Sequence, residues 1–134
     1  MLKSTKRLII STEAVNCYGF RILTSGIDLS NYKNNPILLY CHIRPSGNSK
    51  DQILALGFIS DLQVNGTELS GIPNSDEKDA FAVAIYNKVE NGTLKMCSAG
   101  LKPVETSDSP ALMVTGQTQP TITKSILVGV SIAD

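Results

Sequence analysis

Three side chains in this sequence stand out as candidate nucleophiles or bases by type and setting. Cys97 and Ser98 stand side by side in "LKMCSAGLKPVE", and the chain's one histidine, His42, closes "NPILLYCH". A serine or cysteine becomes a useful nucleophile when a neighbouring base takes its proton, and a neutral imidazole is the usual base. If Lys95 to Ala99 form a strand, Ser98 faces one way and Cys97 the other. A cysteine without an electropositive neighbour behaves as a small buried hydrophobe. Ser98, two residues before Gly100, is the more readily exposed, and it is the preferred nucleophile. The same pattern also fits a structural serine on a strand that ends at a turn, with a half-buried histidine filling a strand end. Distance along the chain does not separate the two readings, because the members of a Ser-His centre meet in space in any chain order. No GxSxG elbow, HExxH or phosphate-binding glycine loop is present.

The elements that must position these residues are mostly short strands separated by Gly, Asn and Ser. Candidate strands are "RLIIS", "NCYGFRILTSG" with Tyr18, Phe20 and Ile22 alternating, "PILLYCH", "ILALGFIS", "LQVNGTELSGI", "LKMCSAGL", "ALMVTG" and "TITKSILVGVSI". In "PILLYCH", Leu38, Tyr40 and His42 share one face and Ile37, Leu39 and Cys41 the other. Asn65-Gly66 is a hairpin signal between alternating arms. One segment differs. Phe81, Ile85 and Val89 recur at helical spacing, with Ala84 beside them. Asn74 and Glu77 have the spacing of a capping box, and Asn91-Gly92 is a stop. The pattern predicts an α+β, β-rich domain over 1–134. It consists of a small barrel-like mixed or antiparallel sheet with one main helix at about 75–91. "RPSGNSKDQ" and "ETSDSPALMVTGQTQPT" read as polar loops.

Composition excludes several classes of function. The 134 residues carry 12 Lys plus Arg against 12 Asp plus Glu, so the formal net charge is zero. That gives no general electrostatic grip on nucleic acid or on an acidic membrane. Apolar runs are far too short for a membrane span, and the N-terminal stretch lacks the apolar region of a secretory signal. Cys17, Cys41 and Cys97 are an odd number with no CxxC spacing, which argues for reduced thiols over a disulfide framework or a zinc site. No cofactor or metal is expected.

The order of these pieces resembles the tailed-phage prohead protease family, which is distantly related to the herpesvirus capsid-assembly protease. "GFRILTSGIDLSNYKNNPILLYCH" is similar to a family pattern of Gly, Asp-Leu and Asn-Pro that ends in a catalytic histidine. "DEKDAFAVAIYNKVENGTLKMCSAGLKP" is similar to the family's helix, glycine and "SxGhxP" (h for hydrophobic), whose serine is the nucleophile. "TKSILVGVSIAD" resembles the closing strand, usually "LLEVSIV". The resemblance implies a small β-barrel with helices, His42 as general base and Ser98 as nucleophile. It implies cleavage of scaffold or capsid-protein segments in a viral procapsid made in the host cytoplasm. The implied partners are the major capsid protein, the scaffold protein or both, and self-association is left open. The chain departs from the family at three places. Gly129 stands where a glutamate commonly orients the histidine, Ile126 stands at another frequent acid, and Ala55-Leu56-Gly57 replaces Pro-Ile-Gly. Glu105 and Asp108, in the loop after Ser98, are candidate replacement acids. A second expectation follows from the departures: a catalytically degenerate protease-fold protein serving as an auxiliary or decoration subunit of the capsid.

Overall fold

Gly66 and Thr67 form a two-residue turn, one residue later than the expected Asn65-Gly66. It joins strands β5 (Gly57–Asn65) and β6 (Glu68–Ser75), which pair antiparallel with Asn65 opposite Glu68. Gly66 has φ of +63°, a left-handed conformation that costs glycine little. The computed structural model describes residues 1–42 and 55–133. Within them the other elements are β1 (Leu2–Lys3), β2 (Leu8–Ser11), β3 (Ile27–Asp28), α1 (Ser30–Asn34), β4 (Ile37–Tyr40), α2 (Ala80–Glu90), β7 (Met96–Ser107) and β8 (Thr121–Ala133). The expected polar loop "RPSGNSKDQ" lies outside the described residues.

The fold is α+β and β-rich. All eight strands belong to one mixed sheet in the order β1-β6-β5-β4-β8-β3, with β2 also on β6 and β7 also on β8. β3 and β4 run parallel to β8, and the other pairs are antiparallel. The sheet curls until β2 packs beside β7. No ladder joins those two strands, so the expected barrel is not closed. The concave face is lined by Leu38, Leu56, Leu69, Leu127, Val130 and Ile132, each at most 1% exposed. Their burial supplies the main driving force for the fold.

α2 lies against this core through Ala82, Ile85 and Val89. Phe81, expected in the buried stripe, is turned outward and meets Tyr40 edge-on at 5.2 Å between ring centres. The helix starts five residues later than the spacing predicts. Asn74 belongs to β6, where its amide donates to Ser60 Oγ (2.8 Å) and the Ile72 carbonyl (3.0 Å). The cap is Asp79, whose carboxylate accepts the Phe81 N–H at 3.0 Å. Two expected strands are absent. In "NCYGFRILTSG" the Asn16 side chain accepts the N–H groups of Tyr18 and Phe20, and this local turn outcompetes a ladder. Only Ile22 forms a bridge there, to Ile122. "ALMVTG" begins in a short 3-10 turn, Pro110–Leu112, entered at the preceding proline, and continues without strand.

Glu90, the last residue of α2, ties down the N-terminal segment. Its carboxylate accepts from Ser4 Oγ, from Thr5 N–H at 2.9 Å and from Thr5 Oγ1 at 2.6 Å. The Ser4 and Thr5 bonds hold its pKa below the ordinary value of 4.5. A depressed carboxylate contributes stability that is complete above its unfolded pKa and lost as pH falls through the folded one. Glu90→Ala is expected to cost about 1–3 kcal/mol at neutral pH, because the buried Ser4 hydroxyl loses its acceptor. Thermal unfolding of both proteins along a falling pH series checks this: the gap between them narrows in acid.

Candidate active site

Alternation along β7 sends its two candidate nucleophiles to opposite faces. Cys97 points into the core and is 7% exposed, and burial pushes its thiol up to about 12. Such a thiol holds almost no thiolate at neutral pH and is not a useful nucleophile. Ser98 points the other way and is half-buried.

β8 supplies the floor beneath Ser98, and a bulge decides which of its residues do so. Ser98 pairs with Ser131, Ala99 with Val130 and Gly100 with Gly129, but Leu101 then pairs with Leu127. Val128 is therefore an extra residue on β8. Before it, Ser125 and Leu127 point inward; after it, Val130 and Ile132 do. The bulge thus shifts the inward set by one residue. It places Gly129 and Ser131 on the face that carries Ser98.

β4 brings the histidine to the same face from the far side of β8. Leu39 is level with Ser131 and Tyr40 with Ile132. Beyond Tyr40, Cys41 N–H donates to the Ile132 carbonyl at 2.9 Å. Cys41 and His42 then adopt φ of +48° and +58°. Left-handed backbone costs a non-glycine residue on the order of 1–2 kcal/mol, and here two such residues are consecutive. The turn ends the strand alternation expected through His42 and carries its ring back over β8. The His42 N–H donates to Ser131 Oγ at 2.9 Å and anchors the turn.

The imidazole spans the two serines. Nε2 lies 3.0 Å from Ser98 Oγ, and Nδ1 lies 2.9 Å from Ser131 Oγ. The ring passes close to the Gly100–Gly129 pair: a methyl group on Gly100 would lie 3.7 Å from Nδ1 and 3.4 Å from the Gly129 carbonyl oxygen. The structure therefore brings His42 and Ser98 into hydrogen-bond contact. It places Ser131, which the sequence reading did not single out, at the third position.

The candidate acids lie elsewhere. Glu105 faces Lys124 across the ladder at 3.4 Å, seven residues along β7 from Ser98. At about 3.3 Å per residue that is more than 20 Å away along the strand. Asp108 lies beyond the end of β7. Ile126 pairs with Asp28 and Lys102, five residues along β8 from Ser131. Among the described residues no group of three or more His, Cys, Asp or Glu could hold a metal ion, and no helix is long and apolar enough to cross a membrane.

With its proton on Nδ1, His42 can take the Ser98 proton at Nε2 and return it to a leaving group. Ser131 would then accept the Nδ1–H of the imidazolium. A neutral acceptor stabilises that cation less than a carboxylate does, because only the carboxylate adds an opposite charge to the hydrogen bond. No protein-family model, curated protein or solved structure matches the chain.

Proposed function

We propose that this protein is a serine endopeptidase of the phage-head maturation type, cutting segments of scaffold or capsid protein with a Ser98–His42 centre. The observation that carries the reading is the 3.0 Å contact between Nε2 and Ser98 Oγ, with the opposite ring nitrogen held by a buried group. Ser98 would attack the scissile carbonyl while His42 shuttles the proton. Backbone N–H groups beside Ser98 would hold the oxyanion.

The edge of β7 supports a polypeptide substrate. Among the described residues no strand pairs with its outer side. Its distal half is interrupted by ladder irregularities and by Pro103, devices that discourage strand addition. Its first five residues, Met96 to Gly100, pair regularly and carry Ser98. β2 packs beside this edge, and a groove lined by Arg7 to Thr12 and Lys95 to Cys97 separates the two strands at that end; an extended chain reaching Ser98 would enter by that groove. Incubation of the purified protein with scaffold and capsid protein tests the reading. Wild type is expected to produce fragments and Ser98→Ala none; equal absence of cleavage in both would sink it.

One observation favours a second reading. The group behind His42 is a neutral hydroxyl, and position 129 has no side chain. A degenerate protease fold retained as an auxiliary capsid subunit would tolerate both. That reading expects the intact chain in stoichiometric amount in mature particles, which mass spectrometry of purified virions checks.

A further inference from the structure

The Ser131 hydroxyl is enclosed, with none of its residue's surface exposed. A hydroxyl offers two lone pairs and one proton. One lone pair receives the His42 backbone N–H at 2.9 Å. Among the described residues its other polar neighbour is Nδ1 of the same histidine, at 2.9 Å. The hydroxyl proton therefore has one acceptor within reach. Were Nδ1 protonated, the Ser131 proton would be buried without a partner, and unmatched buried donors are costly.

We infer that in the resting protein Ser131 donates its hydroxyl proton to Nδ1 of His42, so that His42 carries its own proton on Nε2 and donates it to Ser98 Oγ. This rests on the reading of Ser98 and His42 as nucleophile and base, and it adds a regulation to that site. In this tautomer Nε2 has no lone pair for the Ser98 proton, and the pair is idle. The working arrangement needs Nδ1–H donated to Ser131 Oγ and Nε2 free. Reaching it moves one proton from Nε2 to Nδ1 by exchange through solvent and turns the Ser131 hydroxyl away from the ring. No bond to carbon changes. The unmatched hydroxyl holds the working arrangement down about ten- to a hundredfold. Ser131 is thus a positioning residue that sets the tautomer of the base. A carboxylate, which only accepts, would favour the working arrangement.

The chain has one histidine, so its ¹⁵N spectrum reads His42 alone. The neutral form is expected to show a protonated Nε2 and a bare Nδ1 whose resonance is displaced by an accepted hydrogen bond. In Ser131→Ala that displacement disappears; in Ser131→Thr it persists. In Ser131→Asp the proton moves to Nδ1, and fluorophosphonate labelling of Ser98 accelerates about ten- to a hundredfold. A wild-type spectrum with the proton on Nδ1, or an Nδ1 resonance indifferent to Ser131→Ala, overturns the inference. If Ser131→Asp fails to fold, the wild-type, Ser131→Ala and Ser131→Thr spectra decide. If the proton moves as expected but Ser98 stays as unreactive as the Ser98→Ala blank, the tautomer assignment stands and the protease reading fails.

Discussion

His42→Ala is expected to lower the rate of Ser98 acylation by a fluorophosphonate about a hundredfold, and Ser98→Ala to remove labelling altogether. General-base assistance by a positioned side chain is worth roughly 10²–10⁴ in rate. The low end applies here because the base first has to leave its resting tautomer and because a hydroxyl, not a carboxylate, supports its cation. No other side chain of β7 can take over. Cys97, the adjacent nucleophile, is buried with its thiol pushed up to about 12, and alternation points it into the core. Glu105, the acid nearest along the strand, is held by Lys124. Timed labelling of the intact protein, with the labelled peptide identified by mass spectrometry, measures both effects. Equal labelling of wild type and His42→Ala would mean that the 3.0 Å contact has no part in activating Ser98.

The two members of the Ser98–His42 contact were legible in the sequence because residue type and two-residue periodicity suffice for them. One serine and one cysteine in adjacent strand positions must face opposite ways, and the chain has only one histidine. The group behind the histidine was not legible. Expectation fell on Gly129, Glu105 or Asp108, and the structure places Ser131 there. Which β8 side chains share a face with Ser98 depends on register, and register depends on an extra residue, Val128, that no local pattern marks. The same contest between local and tertiary signals accounts for the shifted elements. Asn74 and Asp79 are both good caps; the β5 ladder claimed Asn74, so the helix starts after Asp79. Tyr18, Phe20 and Ile22 alternate like a strand, but the Asn16 side chain takes the N–H groups of Tyr18 and Phe20 first. The helix at Ala80–Glu90, the β5–β6 hairpin (its turn one residue later, at Gly66-Thr67) and the mixed β-rich sheet were legible because period and turn chemistry agreed with the final packing.

Deleting Val128 is expected to abolish the site and most of the fold's stability together, whereas Val128→Ala leaves both nearly intact. Val128 is 43% exposed, so its side chain contributes little. Its presence as a counted residue contributes much. Without it the ladder from Leu127 to Ser131 must regain a single register, and one half of β8 must turn over. If the C-terminal half turns, Val130 and Ile132 leave the core, each losing about 1.5–3 kcal/mol of burial. Gly129 and Ser131 would take their places, and Ser131 would no longer lie beneath His42. If the N-terminal half turns, Leu127 and Ile122 are exposed instead. Either way the loss is about 3–6 kcal/mol, comparable to the whole stability of many small domains. Denaturant unfolding of the deletion and of Val128→Ala separates the two effects, with the Nδ1 resonance of His42 reporting on the site. A deletion variant as stable as wild type, with that resonance unchanged, would show that the bulge does not set the face on which Ser131 meets the histidine.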